Sequence, residues 1–164
     1  KMYDMEKIKE RLISEGFEGF VSVRELKSDF RNAGVPKEGG VYLVLRLANT
    51  EPVFLQKGTG GYHKKKDPNV SIDELRSNWI EAEPVVYIGK ATELYSRVRQ
   101  YINFGSGKSV GHYGGRYIWQ LVDSDELIVC WKRCKGDPQV VETAMIAEFK
   151  NSHNGQRPFA NLRD

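Results

Sequence analysis

The sequence predicts a small α/β (α+β) sandwich, on three observations. Three short runs are rich in β-forming residues: 41–47 (VYLVLRL), 85–88 (VVYI) and 127–131 (LIVCW). Stretches of helical composition lie between and around them. Gly, Pro and Asn clusters punctuate the joins.

The elements follow in order. Residues 4–15 have helical composition, with Ile8, Leu12 and Ile13 on one side and Gly16 as a stop. Ser22 and Glu25 form a capping box for a second short helix ending near Gly34. Residues 1–36 are therefore expected as an N-terminal helical extension, and 37–164 as the main domain. The apolar run at 41–47 suits a buried strand. Residues 49–83 read as an insertion: a loop with the basic run Lys64, Lys65, Lys66, then a helix opened by Ser71 and Glu74 and reaching Trp79. Strand 85–88 closes at Gly89. Thr92 is placed to cap a helix running to about Tyr101, with Leu94, Val98 and Tyr101 on one face. Residues 104–115 are Gly-rich and expected as a loop. Asp137 and Pro138 are an N-cap and a first-turn proline, opening a helix to about Asn151.

Composition sets limits. The chain has 164 residues, enough for one domain with a true core, and 25 basic against 22 acidic residues. That mild excess permits a nucleic-acid partner without arguing for one. No apolar run approaches the ~20 residues of a membrane span, and the charged N-terminal stretch does not read as a signal peptide. Two cysteines, Cys130 and Cys134, are too few for a disulfide framework, so a reduced, cytoplasmic setting is expected. The stretch Gly58-Thr-Gly-Gly lacks Walker spacing, and no small-molecule cofactor is expected.

Several polar residues stand in unusual places. Tyr42 and Tyr87 lie in apolar strands, where a buried hydroxyl needs a partner. Arg97 lies mid-helix, and Glu142 shares its helix with Val140, Val141, Met145 and Ile146. Taken singly, each has an ordinary reading: a core tyrosine with a wet tip, a snorkelling arginine, a surface glutamate.

Their order and spacing change that reading. Gly40-Val41-Tyr42 and Tyr87-Ile88-Gly89 resemble the paired motifs of the GIY-YIG nuclease family. The segment from Tyr87 through Lys90, Ala91, Leu94 and Arg97 to Tyr101 is similar to that family's continuation. Glu142, with Ile146 and Phe149 at the matching offsets, resembles the helix bearing the family's metal-binding glutamate. Glu148 lacks those neighbours and is read as a surface residue. Residues 157–161 (RPFAN) resemble the closing element that ends in Asn161. Seven positions match in order, across about 39–161. One departure is plain: Tyr42 and Tyr87 stand 45 positions apart, where the family commonly has a short hairpin.

The resemblance implies a three-stranded, mainly antiparallel sheet flanked by helices, and hydrolysis of a phosphodiester with one divalent cation, Mg²⁺ or Mn²⁺. In that reading Glu142 binds the metal, and Arg97 holds the non-bridging phosphate oxygens. Tyr42 orients or deprotonates water. Lys90 supplies positive charge to bring a tyrosine into range, Tyr87 extends the hydrogen-bond network, Tyr101 contacts phosphate or water, and Asn161 fixes the Glu142 helix or the site edge. His112, in the Gly-rich loop, is a candidate base, a DNA contact or a loop hydrogen bond. Lys64, Lys65, Lys66 and Arg116 are candidates for backbone contacts. The expected partner is DNA, with RNA open. A binding module that lost efficient catalysis is the alternative from another class. Double-strand cleavage by a chain with one site calls for a dimer or two encounters.

Overall fold

The structure, a computed structural model, describes residues 3–163. Helix α1 (Met5–Ser14) starts at Asp4, whose carboxylate accepts from the backbone N–H groups of Glu6 and Lys7. Strand β1 (Glu18–Ser22) runs directly into α2 (Val23–Ser28), where Ser22 accepts from the N–H of Glu25. Then come β2 (Gly40–Leu45), α3 (Ile72–Asn78), β3 (Val85–Ala91), α4 (Leu94–Gly105), β4 (Ile128–Arg133) and α5 (Pro138–Ser152). The caps read from sequence at Ser71 and Asp137 are present: each accepts a backbone N–H, from Glu74 and Gln139 respectively. Such caps contribute about 1 kcal/mol each.

The four strands form one antiparallel sheet in the order β1-β4-β2-β3. The α+β sheet flanked by helices is as expected, with one strand more. The extra strand is β1, inside the segment expected to be helical. Its pairing with β4 shifts register between Gly19 and Val21, and Phe20 has φ 60°. A short, bulged edge strand carries too little alternation to announce itself.

Strand β2 is central and wholly buried, because both sheet faces are covered. Side-chain alternation splits it. Tyr42 and Val44 enter a core with Val98, Tyr101, Trp119 and Trp131 on the α4 side. Val41, Leu43 and Leu45 enter a second core with Leu12, Phe17, Ile146 and Phe149 on the α1 and α5 side.

The 49–83 segment is bound into the first core. Phe54 and Leu75 are buried there, and the rings of Trp79 and Phe54 pack on Phe159. Buried Gln120 ties this irregular backbone down. Its amide nitrogen donates to the carbonyls of Leu55 and Val70, and its oxygen accepts from the Val70 N–H. Buried Arg46 does likewise at the start of the segment, pairing with Asp123 at 2.9 Å and donating to the carbonyls of Ala48 and Thr50.

Thr92 is not the cap of α4. Glu93 occupies that position, with no side-chain cap bond. The first helical N–H groups are satisfied instead by backbone: Leu94 donates to the Glu38 carbonyl and Tyr95 to that of Pro36. The helix also runs past Tyr101 to Gly105. No helix among the described residues is long and apolar enough to cross a membrane.

Candidate active site

The β2–β3 ladder sets Tyr42 opposite Gly89 and Val44 opposite Tyr87. Both tyrosines therefore project from the same sheet face, with ring centroids 5.9 Å apart. The two motif glycines have a physical reason. A Cβ on Gly40 would lie 2.1 Å from the Lys132 carbonyl oxygen, and one on Gly89 would lie 2.4 Å from Cζ of Tyr42. Only glycine admits the neighbouring backbone at one and the tyrosine ring at the other.

Helix α4 crosses this face. Its Tyr101 ring packs on those of Tyr42 and Tyr87, and its hydroxyl donates to the Gly115 carbonyl at 2.6 Å. Arg97 is one turn earlier. Its guanidinium donates to the Gln100 side-chain oxygen at 2.7 Å, and the Gln100 amide donates to the Gly111 carbonyl at 3.2 Å. The arginine is thereby linked to the Gly-rich loop.

That loop carries His112, which is buried and stacked on Tyr101 at 4.3 Å between ring centroids. Its Nδ1 lies 2.8 Å from the Gly114 carbonyl and its Nε2 3.2 Å from the Tyr42 hydroxyl. Gly115 has φ +77°, and a Cβ there would sit 2.7 Å from the Tyr101 hydroxyl. The loop can pass this close only because that residue is glycine.

A cleft of about 1150 Å³ opens beside these groups at the β3 edge. Tyr87, Lys90, Arg97, Arg116, Glu142 and Asn161 all line it. Its lining includes neither Tyr42 nor Tyr101, which lie fully buried behind Tyr87 and under the His112 loop. Glu142 is half-buried and faces the cleft, whereas Glu148 is exposed elsewhere on α5. Asn161 clamps the edge strand: its oxygen accepts from the Ile88 N–H and its amide donates to the Ile88 carbonyl, each at 2.9 Å.

Lys90 stands differently from its expected role. Positions 87 and 90 of a strand point to opposite faces. Lys90 thus serves the Glu142 side, where its charge favours the carboxylate. Arg97 is the positive charge felt by both Tyr42 and Tyr87.

The run Lys64, Lys65, Lys66 is exposed and lies outside the cleft lining. It forms a tight turn, closed by the Lys66 N–H on the His63 carbonyl, with Lys64 at φ 52° and Lys65 at φ 63°. The Tyr113 hydroxyl bonds to backbone at His63 and Lys66, which fastens the turn to the His112 loop. Arg116 stacks over Tyr113 and lines the cleft.

The electrostatics follow from burial. Desolvation raises Tyr42 and Tyr101 well above the ordinary tyrosine value, and raises Tyr87 to about 12. Arg97 opposes this in each case. Desolvation, then Arg97, pushes His112 down to about 3, so its ring is neutral. Desolvation raises Glu142 above the usual carboxylate value, opposed by Lys90 and Arg163. Among the described residues no group of three or more His, Cys, Asp or Glu gathers as a metal cage. A cation here would take one protein carboxylate, with water and phosphate oxygens completing its shell. That suits a hard ion such as Mg²⁺.

Two cleft residues were not legible in the sequence. Arg163 faces Glu142 and Tyr87 from the C-terminal segment. Gln100 bridges Arg97 to the loop. Neither stands in a motif, and only the fold brings them in. Compared with family models, with curated proteins and with solved structures, the chain matches none.

Proposed function

We propose that this chain is a GIY-YIG-type, divalent-metal-dependent endonuclease that hydrolyses phosphodiester bonds in DNA. One observation carries the reading: Tyr87, Arg97, Glu142 and Asn161, drawn from β3, α4, α5 and the C-terminal segment, line a single cleft. The motif resemblance and this convergence are independent, since sequence order does not dictate that four separate elements share one opening.

Glu142 is the residue that would hold Mg²⁺ or Mn²⁺. When bound, such an ion polarises the phosphate and stabilises charge on the leaving 3′ oxygen. The remaining roles fall to the chain. Arg97, held by Gln100, presents its guanidinium to the non-bridging oxygens. Lys90, Arg116 and Arg163 give the cleft positive charge for a polyanion. The turn at Lys64, Lys65 and Lys66 extends that charge along the loop side and contacts backbone without reading sequence. Tyr87 meets the water, with Tyr42 behind it. Asn161 keeps β3 in place. Free cysteines Cys130 and Cys134 accord with a reduced, cytoplasmic setting.

Supercoiled plasmid and a matched RNA duplex, each incubated with Mg²⁺ or Mn²⁺, test the proposal. Metal-dependent nicking of the plasmid is expected. Salt-sensitive binding with no cleavage under either metal would instead favour a binding module, and cleavage confined to RNA would reassign the substrate.

A further inference from the structure

The cleft takes in both faces of the sheet. Arg97 comes from α4, which packs on the face of Tyr87 and Ala91, and Glu142 from α5, which packs on the face of Ile88. Strand parity puts the Lys90 side chain on the Glu142 face. Between the two faces lies the free edge of β3, the last strand of the sheet.

Most of that edge is covered. In an antiparallel ladder the N–H and C=O of one residue share a side, and the side alternates along the strand. Ile88 gives both groups to the Asn161 side chain, and the Val86 carbonyl accepts from the Ala160 N–H. Lys90 is next in the same parity, so its N–H and C=O also turn away from β2. No group among the described residues bonds to that N–H. One open residue is too little edge for an added strand to pair with. It opens instead into a cleft that Lys90, Arg97, Arg116 and Arg163 line with positive charge, which suits an anion.

We propose that the backbone N–H of Lys90 is a phosphate donor, bonding a non-bridging oxygen of the phosphodiester where it crosses the β3 edge. The inference rests on the endonuclease reading and adds a binding group that no side-chain motif shows. A phosphate reached by Arg97 from one face and by a cation on Glu142 from the other must cross this edge. Ile88 cannot serve, because Asn161 holds its N–H, and β3 ends one residue beyond Lys90, at Ala91. A backbone donor is aimed before the substrate arrives and needs no side chain to be ordered. The Lys90 carbonyl, which can only accept, is left to water. Asn161 thereby does two things: it clamps Ile88, and by ending there it leaves the next amide open.

The test uses the full chain, labelled with ¹⁵N, and a short DNA duplex in EDTA. Added duplex should move the Lys90 amide proton downfield and slow its exchange, while the Ile88 amide, already bonded to Asn161, keeps its exchange rate. Lys90→Met keeps the amide and drops the ammonium, so it should keep that shift. Replacing the Lys90 N–H by an ester oxygen, with the lysine side chain retained, should slow single-turnover plasmid cleavage with Mn²⁺ by about 10²-fold, the scale of one removed oxyanion donor. The ester also weakens the Gly89 carbonyl as an acceptor, so the rate is read well below the melting point. Duplex binding that leaves the Lys90 amide unmoved, or an ester variant as fast as the wild type, overturns the inference, and metal-dependent nicking by the wild type then leaves the endonuclease reading standing. A duplex that moves the Lys90 amide of a chain cleaving with neither metal supports the donor and removes the endonuclease reading. Neither binding nor cleavage removes both.

Discussion

Tyr42 lies directly across the β2–β3 ladder from Gly89, and its ring fills the space that a Cβ on residue 89 would need. The glycine of the second motif therefore exists for the tyrosine of the first. Gly89→Ala should displace the Tyr42 ring, cost about 1–3 kcal/mol as an overpacked core substitution does, and slow cleavage at least about tenfold. Thermal unfolding and single-turnover rates on plasmid check it. Full rate with full stability would show that the ring is free to move aside.

His112 gives the fold an acid weakness. Its folded-state pKa, about 3, lies below the ordinary value of about 6.5. The stability it contributes is thus present above pH 6.5 and lost as pH falls toward 3. At pH 5 the loss approaches about 2 kcal/mol. Wild type should lose more melting temperature than His112→Gln between pH 7 and pH 5. Parallel curves for the two proteins would contradict a buried neutral ring.

Glu142 has the opposite sign. Burial raises its folded-state pKa, so the neutral form suits the fold better and the favourable contribution is lost as pH rises through that value. At pH 7 the ionised carboxylate sits at a cost. Glu142→Gln should therefore melt higher than wild type at pH 7, the difference closing below about pH 4. Saturating Mn²⁺ should raise the wild type alone. A metal-induced shift of equal size in Glu142→Gln would remove Glu142 as the ligand.

Gln120 is the fastening of the 49–83 segment. Gln120→Ala leaves part-buried backbone groups of Leu55 and Val70 without their side-chain partner, at about 1 kcal/mol or more. Amide exchange should speed up in residues 54–70 before it does in β2. Uniform acceleration across the chain would mean that the segment is not held separately.

Much of this was written in the sequence, and the omissions have causes. The apolar run that became β2 announced a strand buried on both faces. Glu142 was preferred to Glu148 on the resemblance, through Ile146 and Phe149 at the family's offsets, and in the structure Glu142 lines the cleft. Strand β1 was hidden by Gly19 and a register shift that break its alternation. Thr92 looked like a cap because the carbonyls of Pro36 and Glu38, which serve α4 instead, are distant in sequence. Lys90 was assigned to a tyrosine by nearness, and strand parity turns it toward Glu142. His112 stayed open because its partner Tyr42 lies 70 positions away, and no local pattern connects a loop histidine to a strand tyrosine.

The pairing of Glu142→Ala with Glu148→Ala tests the central claim most directly. Both carboxylates lie on α5, six positions apart. Only Glu142 faces the cleft. In single-turnover plasmid cleavage with Mn²⁺, Glu142→Ala should lose about 10³-fold or more in rate, as befits removal of an electrostatic anchor of the transition state, while Glu148→Ala keeps the wild-type rate. If Glu142→Ala cleaves as fast as wild type, the cleft is not the active site of a single-metal nuclease.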